Sequence, residues 1–565
     1  MALRQWFPSN NMSLSKWKKL FLNGPVINPQ EQSYKKISIS VCDMKNKISI
    51  EPQKLKSQKD RTSLKSELEN EKFMKLRLDQ MRLSSETTWY PHKFQNTMTV
   101  SEFIDRFSAI NPEDKLPENH VRLCGRVKNI RKQGKQLSFV DLYQDQSTVQ
   151  IKLKADFYSG NFDEEITAVK RGDVIGVEGL PIVTKSGALA LLTKNMTLLA
   201  PTLKLIPSNS LGRIEHRYRR RHVDLLTNPD TRCIFKTRAH ILKLIRAFLD
   251  ERDFIEVETP ILTIGVGGAN AEAFKTHHND LEMDMCLRIA PELHLKTLLV
   301  GGFDRVYEIG RQFRNEGLDS SHNPEFTSCE FYMAYSDYND ILELTQLMFS
   351  HIAKTLRELP STPNLDSNSV LYEKLINQPY EKIDFLLSLE SATGVKFPNS
   401  IDLSDESDEA VKFLSDLCEK NDIKIIERRT SKILDKLFSK LIEPTLEHPT
   451  FVLHHPMCMC PLAKEHRSVK GISERFELFA KGLEVVNAYT ELNDPMQQKL
   501  RFKKQRQSEL TDYKETSIEK DFVNALEYGL PPTAGWGLGV DRLVMLLTNQ
   551  RSIREVLLFP TMKPK

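Results

Sequence analysis

Arg314, Glu316, His322, Glu325 and Glu330 fall within one stretch, FRNEGLDSSHNPEFTSCEFY (residues 313–332), among Phe313, Phe326, Phe331 and Tyr332. A solvated hairpin turning at Gly317, Asn323 and Pro324 would account for that composition. So would a nucleotide site, in which Arg314 meets a phosphate or carboxylate with its planar fork and Phe326 offers a flat stacking surface. Two more segments add to the second reading. In ERFELFAKGLEVVNAYTEL, Glu477 and Glu484 stand seven residues apart, and an alternating hairpin can bring two such carboxylates together as the oxygen-rich setting Mg²⁺ prefers. In GWGLGVDRL, Arg542 opens a predicted helix behind glycines that let a ligand approach the backbone. Two arginines, a carboxylate pair and a ring are the parts that would hold an ATP bent around Mg²⁺.

These residues need a scaffold, and the 565-residue chain is long enough for two or three domains. With 40% hydrophobic and 28% charged residues its composition is that of a globular protein, and it holds no apolar run of the roughly 18 residues a membrane span needs. No membrane insertion is expected. Eight cysteines in a chain of this size do not make a disulfide scaffold, which predicts a reducing compartment. HHPMCMC (454–460) has a ligand-like look, but a lone C-x-C lacks a second spaced pair and reads as buried or half-buried thiols. No P-loop and no strand-linked G-x-G-x-x-G is present.

The net charge of +4 hides an asymmetry: residues 1–85 carry 17 Lys/Arg against 8 Asp/Glu, a balance of +9, so the remainder carries −5. Arg4, Lys16, Lys18 and Lys19, with Leu14, Trp17, Leu20 and Phe21 and no acidic residue before Glu31, fit an amphipathic mitochondrial leader over residues 1–30. A basic extension with helical segments follows over 31–117; its leucine spacing from about 55 to 90 fits an exposed helix and equally part of a disordered arm. Residues 118–205 alternate in five short runs with a helix-like piece between the third and fourth. That is the pattern of an OB-fold, a common reader of single-stranded nucleic acid, although any small β-barrel would share it. After a linker over 206–230, an α+β region runs from 231 to 565, with an insert at about 359–445. It opens with the helix TRAHILKLIRAFLDERD and the alternating strand FIEVETPIL, and returning hairpins then predict a mainly antiparallel sheet flanked by helices.

FIEVETPIL with Pro260, FRNEGLDSSHNPEFTSCEFY and GWGLGVDRLVMLLTNQRSIREVLLFP resemble, in order, the three signature motifs of class II aminoacyl-tRNA synthetases. With GGANAEAF, RIAPELHLK, DRVYEIGRQ and LPPTAGWG they resemble lysyl-tRNA synthetase over roughly residues 90–565. The resemblance implies a ligase that joins L-lysine to tRNA(Lys) with ATP and Mg²⁺, in a homodimer. It assigns the α-ammonium of lysine to Gly268, Glu292 and Glu330, and the ε-ammonium to Tyr332 and Glu491. Arg314 and Asn487 would orient the carboxylate, and Tyr489 would lie along the stem. Phe326 and Arg542 would hold adenine between them, with Glu316 accepting its amine, His322 near the phosphates, and Glu477 and Glu484 on Mg²⁺. Phe139 and Gln150 would read the central anticodon base. A surface salt bridge is the commoner fate of any one of these glutamates, and a turn histidine that of His322; the set shifts the balance. An acidic pocket with one cation is also what a ligand with two ammonium groups and one carboxylate demands once water is excluded.

Ala188, in KSGALAL, stands where many family members have Glu. That departure, GRVKNIRKQGKQLSFVDLY and the basic leader resemble fungal mitochondrial members, so the mitochondrial matrix is the expected compartment and the cytoplasm the alternative. A non-catalytic RNA-binding paralogue is the competing function. It would be expected to lack Arg314, Arg542 or the Glu477–Glu484 pair, all of which are present.

Overall fold

The computed structural model describes residues 58–83, 89–109, 120–184, 186–208, 210–265, 267–269, 271–359, 369–398, 403, 407–508 and 517–564. The leader expected at 1–30 and residues 31–57, 84–88 and 110–117 of the extension lie outside them. The chain divides after Ser85 into two compact units. Among its described residues the first holds one helix, α1 (Gln58–Leu83), with Leu68 and Leu76 exposed.

The second unit begins with α2 (Val100–Phe107), opened by a reciprocal cap between Thr99 and Glu102. Five strands follow: β1 (Val121–Lys132), β2 (Leu137–Gln144), β3 (Ser147–Lys154), β4 (Val174–Val183) and β5 (Leu189–Ala200), with α3 (Phe162–Ala168) between β3 and β4. They close into a barrel in the order β1-β2-β3-β5-β4, which is the OB-fold. Alternation places Val121, Leu123 and Val127 of β1 inside with Val140, Leu142, Val149 and Ile151. The β2–β3 turn runs through Asp145 and Gln146, both at positive φ, as a tight two-residue hairpin requires.

Within the linker expected over 206–230, α4 (Ile214–Arg219) and α5 (Arg221–Thr227) form. The arginine-rich sequence orders there because its charges are answered. Arg217 pairs with Asp224 at 3.0 Å and Glu555 at 2.9 Å, and the buried Arg221 pairs with Asp224 at 2.9 Å and donates to the carbonyls of Arg554, Leu557 and Leu558. α6 (Pro229–Asp250) is capped by Asn228, with Pro229 in its first turn. It sinks Ile241, Ile245, Phe248 and Leu249 into the main core.

That core lies against an eight-stranded sheet built from β6 (Ile255–Glu256), β10 (Arg305–Phe313), β11 (Glu325–Ala334), β12 (Glu381–Asp384), β13 (Thr450–Leu453), β14 (Arg475–Ala480), β15 (Leu483–Thr490) and β16 (Thr533–Gly539). The order is β12-β13-β14-β15-β16-β11-β10-β6. Only the two outermost pairings, β6 with β10 and β12 with β13, are parallel. At its centre Trp536 stacks on Phe331 at 4.6 Å and donates to Thr345 Oγ1 at 2.9 Å. A smaller sheet joins β7 (Leu262–Thr263), β8 (Lys275–His278) and β9 (Met283–Leu287).

FIEVETPIL is not the continuous strand its alternation predicts. Only Ile255–Glu256 and Leu262–Thr263 pair. Pro260 has no N–H to give, while the N–H and hydroxyl of Thr259 go to the Glu308 carboxylate. The remaining helices are α7 (Glu292–Val300), α8 (Tyr338–Glu358), α9 (Val370–Ile376), α10 (Phe385–Thr393), α11 (Asp408–Lys420), α12 (Thr430–Leu441), α13 (Pro495–Ser508), α14 (Ser517–Leu526), α15 (Val540–Leu547) and α16 (Ile553–Val556). In the insert, α10 to α12 enclose a core of their own around Phe385, Leu414, Leu434 and Phe438, tied to the sheet through β12. No helix among the described residues is long and apolar enough to cross a membrane.

Candidate active site

On the sheet face opposite the main core lies a cavity of roughly 1330 Å³. Gly268, Glu292, Arg314, Glu316, His322, Phe326, Glu330, Tyr332, Glu477, Glu484, Asn487, Tyr489 and Arg542 all line it. Sheet register is the reason. On β11, Phe326, Glu330 and Tyr332 recur at even spacing, and β16 places Gly537 across from Glu330 and also across from Asn487 of β15. These two Gly537 pairings set Glu330 and Asn487 on either side of a strand that has no side chain at that point.

The arginine end is built from three elements. Arg314, one residue beyond β10, has its guanidinium carbon 5.1 Å from the Phe326 ring centroid. Burial lowers the Arg314 guanidinium, against the nearby Glu316 and Glu330, so an anion entering here would meet an under-solvated cation. Arg542, in the first turn of α15, donates to the Glu484 carbonyl at 2.8 Å and contacts its carboxylate at 3.2 Å. It also donates to His322 Nε2 at 3.2 Å. Because arginine has no acceptor, Nε2 is the bare nitrogen and His322 Nδ1 carries the proton, which it gives to Asp319 at 2.8 Å. Burial would raise the Asp319 carboxyl, but the N–H groups of Ser321 and His322 and the imidazole hold it at about 2.

Glu477 and Glu484 come together on β14 and β15, where a bulge after Leu478 shifts the register. Burial would raise Glu477, but Arg475 and then His455 hold it at about 2, whereas burial and the Glu477 charge push Glu484 up. Two carboxylates close enough to raise one another suit a divalent cation. Arg475, two residues from Glu477 on the same face of β14, also donates to Asn487 Oδ1 at 3.0 Å and to Cys460 Sγ at 3.2 Å. Cys460 thus serves as an acceptor inside the wall. The seven described cysteines are free thiols, Cys42 lies outside the described residues, and no cluster among the described residues could hold a metal through three His, Cys, Asp or Glu side chains.

The opposite end is acidic and closed. Glu330 receives the Tyr332 hydroxyl at 3.2 Å, and burial followed by the Glu292 charge pushes its carboxyl up to about 8. Tyr489 donates its hydroxyl to Glu292 Oε1 at 2.6 Å. Gly268, at φ +86°, lies where a Cβ would stand 3.2 Å from that of Glu292. Glu491 is the exception among the expected residues, because it lies behind the cavity wall and is 1% exposed. A Cβ on the wall residue Gly535 would come within 2.0 Å of Glu491 Oε1 and 2.6 Å of Tyr332 Cε1, so only glycine leaves room for that carboxylate.

Lys296 was not foreseen from the sequence. It is wholly buried on α7, 2.5 Å from Glu292 Oε1 and in ion-pair contact with Glu491. The signal was present in PELHLK, where Glu292 and Lys296 stand four apart on a helix. Arg475 could likewise have been found from its alternation with Glu477. On the barrel, Phe139 and Gln150 are half-buried on adjacent strands β2 and β3.

Residues 213–563 match the family described as tRNA synthetases class II (D, K and N), and residues 121–206 match the OB-fold nucleic acid binding domain. The chain is 42% identical to a lysine–tRNA ligase of Cladosporium cladosporioides, over 86% of this chain and 83% of that protein. It is 41% identical to an Encephalitozoon cuniculi protein named "Probable lysine--tRNA ligase, cytoplasmic", over 88% and 98%. With the lysine–tRNA ligase of Halalkalibacterium halodurans it shares 40% identity over 84% and 93%. An OB-fold barrel joined to a class II catalytic domain, with relatives of this kind along most of its length, makes the chain a member of the lysine–tRNA ligase family of class II tRNA synthetases.

Proposed function

We propose that the protein activates L-lysine with ATP to lysyl-adenylate and transfers the lysyl group to the 3′ end of tRNA(Lys). The observation that carries this reading is the polarity of the cavity: cationic at Arg314 and Arg542, acidic at Glu292 and Glu330. Glu292 and Glu330 with Gly268 take the α-ammonium, Tyr332 and Glu491 the ε-ammonium, and Tyr489 lies along the stem. Arg314 and Asn487 turn the lysine carboxylate towards the α-phosphorus, and Arg314 stabilises the charge that gathers there. Adenine rests between Phe326 and Arg542, with Glu316 on its amine and His322 beside the phosphates. Glu477 and Glu484 would hold Mg²⁺, which when bound supplies charge neutralisation to the polyphosphate. No side-chain nucleophile is needed, so rate comes from positioning and preorganised charge.

On the barrel, Phe139 and Gln150 read the anticodon. The protein acts as a homodimer, a reading supported by the exposed apolar residues Ile255, Ile261, Leu262 and Ile264 along FIEVETPIL and its continuation. Its compartment is the mitochondrial matrix, supported by the basic leader and by Ala188. Lysine-dependent ATP–pyrophosphate exchange tests the chemistry, and charging of mitochondrial and cytosolic tRNA offered separately tests the tRNA pool. Exchange driven by another amino acid would sink the substrate, and charging of the cytosolic pool alone would move the protein to the cytoplasm. Sedimentation at micromolar concentration distinguishes dimer from monomer.

A further inference from the structure

We propose that Lys296 is the resident counter-cation of the lysine pocket, a positioning and specificity-determining residue that pairs with both Glu292 and Glu491 and leaves the acidic end a charge balance that a ligand with two ammonium groups completes. The inference rests on the lysine-activating reading above and deepens it.

The geometry comes first. Lys296 Nζ lies between Glu292 and Glu491, which are on α7 and just beyond β15. Its side chain is wholly shielded from water, with the rings of Tyr489 and Phe522 each 5.6 Å from the ammonium. Glu491 Oε2 is taken up by the Lys296 ammonium, and Oε1 is buried with no hydrogen bond among the described residues. The ion pair is the contact that offsets the burial, and the acceptor capacity of Oε1 is left for an incoming donor.

The charges then close. With Glu330 in the ionised form that answers an ammonium, Glu292, Glu330 and Glu491 supply three negative charges, and Lys296 and Arg314 two positive ones. The net −1 is met by the single positive charge of lysine, which has two ammonium groups and one carboxylate. Tyr332 and Tyr489, the other titratable groups facing the pair, stay protonated because burial and the surrounding carboxylates raise both. From α14, Phe522 faces Lys296, while Glu519 lines the outer cavity. Burial works to lower the Lys296 ammonium, but Glu292 and Glu491 outweigh it. Burial pushes Glu491 strongly up, and Lys296 is the main group pulling it back. Without Lys296 the main group opposing that push is gone, and the protonated form of Glu491, which cannot answer an ammonium, gains ground.

The test is lysine-dependent pyrophosphate exchange by full-length wild type, K296M, E491Q and K296M/E491Q, with KM for lysine and for ATP read from about pH 6.5 to about 9. For K296M, the lysine KM should rise about tenfold over wild type near pH 7, and that excess should shrink as pH rises, because higher pH favours the ionised Glu491. The ATP KM should stay within about twofold, because Lys296 faces only the acidic end. E491Q leaves the pocket neutral, and the double variant returns it to −1. The double variant should therefore bind lysine at least about threefold better than E491Q, with a pH profile parallel to wild type. That comparison decides the matter even where K296M alone does not fold. A lysine KM in K296M that matches wild type, or a raised one that ignores pH, overturns the proposal, as does a double variant no better than E491Q. Wild-type protein without lysine-dependent exchange would instead overturn the underlying functional reading.

Discussion

Glu330 shows how one buried carboxyl can set the working pH. Its carboxyl is raised to about 8 by burial and by Glu292, and only the ionised form attracts an ammonium. The sign is fixed: protons compete with lysine below that value, so the lysine KM of the wild type should fall roughly tenfold between about pH 6.5 and about 8.5. Glu330→Gln should bind lysine weakly and lose that slope; a slope that survives the substitution would assign it elsewhere. Arg314 faces the opposite demand, because its charge is always present and its anion arrives with the substrates. Arg314→Ala should reduce exchange by about 10²–10³-fold while leaving the melting temperature close to wild type. Normal exchange in that variant would remove Arg314 from the mechanism.

At the scale of elements, Asp541 fastens three segments that come from distant parts of the chain. It accepts the Thr327 N–H of β11 at 2.7 Å and the Arg238 guanidinium of α6 at 2.5 Å, while Arg238 also donates to Thr327 Oγ1 at 3.0 Å. Phe326 and Arg542, the two proposed faces of the adenine site, are the chain neighbours of Thr327 and Asp541. Asp541→Ala strands a largely buried Arg238 and should lower the melting temperature by roughly 3–6 °C. It should also raise the ATP KM more than the lysine KM; equal effects on both would point to general loosening. Such fastenings were hidden in the sequence, where Arg238 is one more charge on an amphipathic helix. The motifs themselves were legible, since Phe326, Glu330 and Tyr332 announce a strand face and glycines before Arg542 announce a helix entry. What could not be read was which charges already had partners. The spacing of Lys296 from Glu292 and of Arg475 from Glu477 was on view, but not that the fold would deliver Glu491 and Asn487 to them. The interrupted FIEVETPIL strand was opaque for a related reason, because alternation says nothing about where Thr259 spends its N–H.

At the scale of the whole second unit, barrel and catalytic domain meet through the β2–β3 turn. Arg232 of α6 lies with its guanidinium carbon 5.0 Å from the Tyr143 ring centroid, Lys236 pairs with Asp145 at 2.9 Å, and Gln146 reaches Cys233 Sγ at 3.2 Å. The same helix carries Arg238 to the active site, so one rigid rod touches both the proposed anticodon reader and the adenine site. Arg232→Ala removes a cation–π contact worth about 1–2 kcal/mol. It should leave pyrophosphate exchange within about twofold of wild type and lower tRNA charging by roughly fivefold, the loss expected if the contact holds the barrel in register with the 3′ end. Parallel losses in both assays would mean that the contact supports the catalytic domain alone.

The position of β16 has a consequence in time. It is hydrogen-bonded to β15 on one side and β11 on the other, so it is the seam of the main sheet, yet it is made roughly 200 residues after β11, a closure that waits on long-range pairing. While the chain is still growing on the ribosome, β11 and β15 each present an open edge, and edges of that kind recruit other strands. A chain cut short between Thr490 and Thr533 would hold most of the pocket residues and still have two half-sheets, so truncated products should enter aggregation and degradation rather than persist as partly active enzyme.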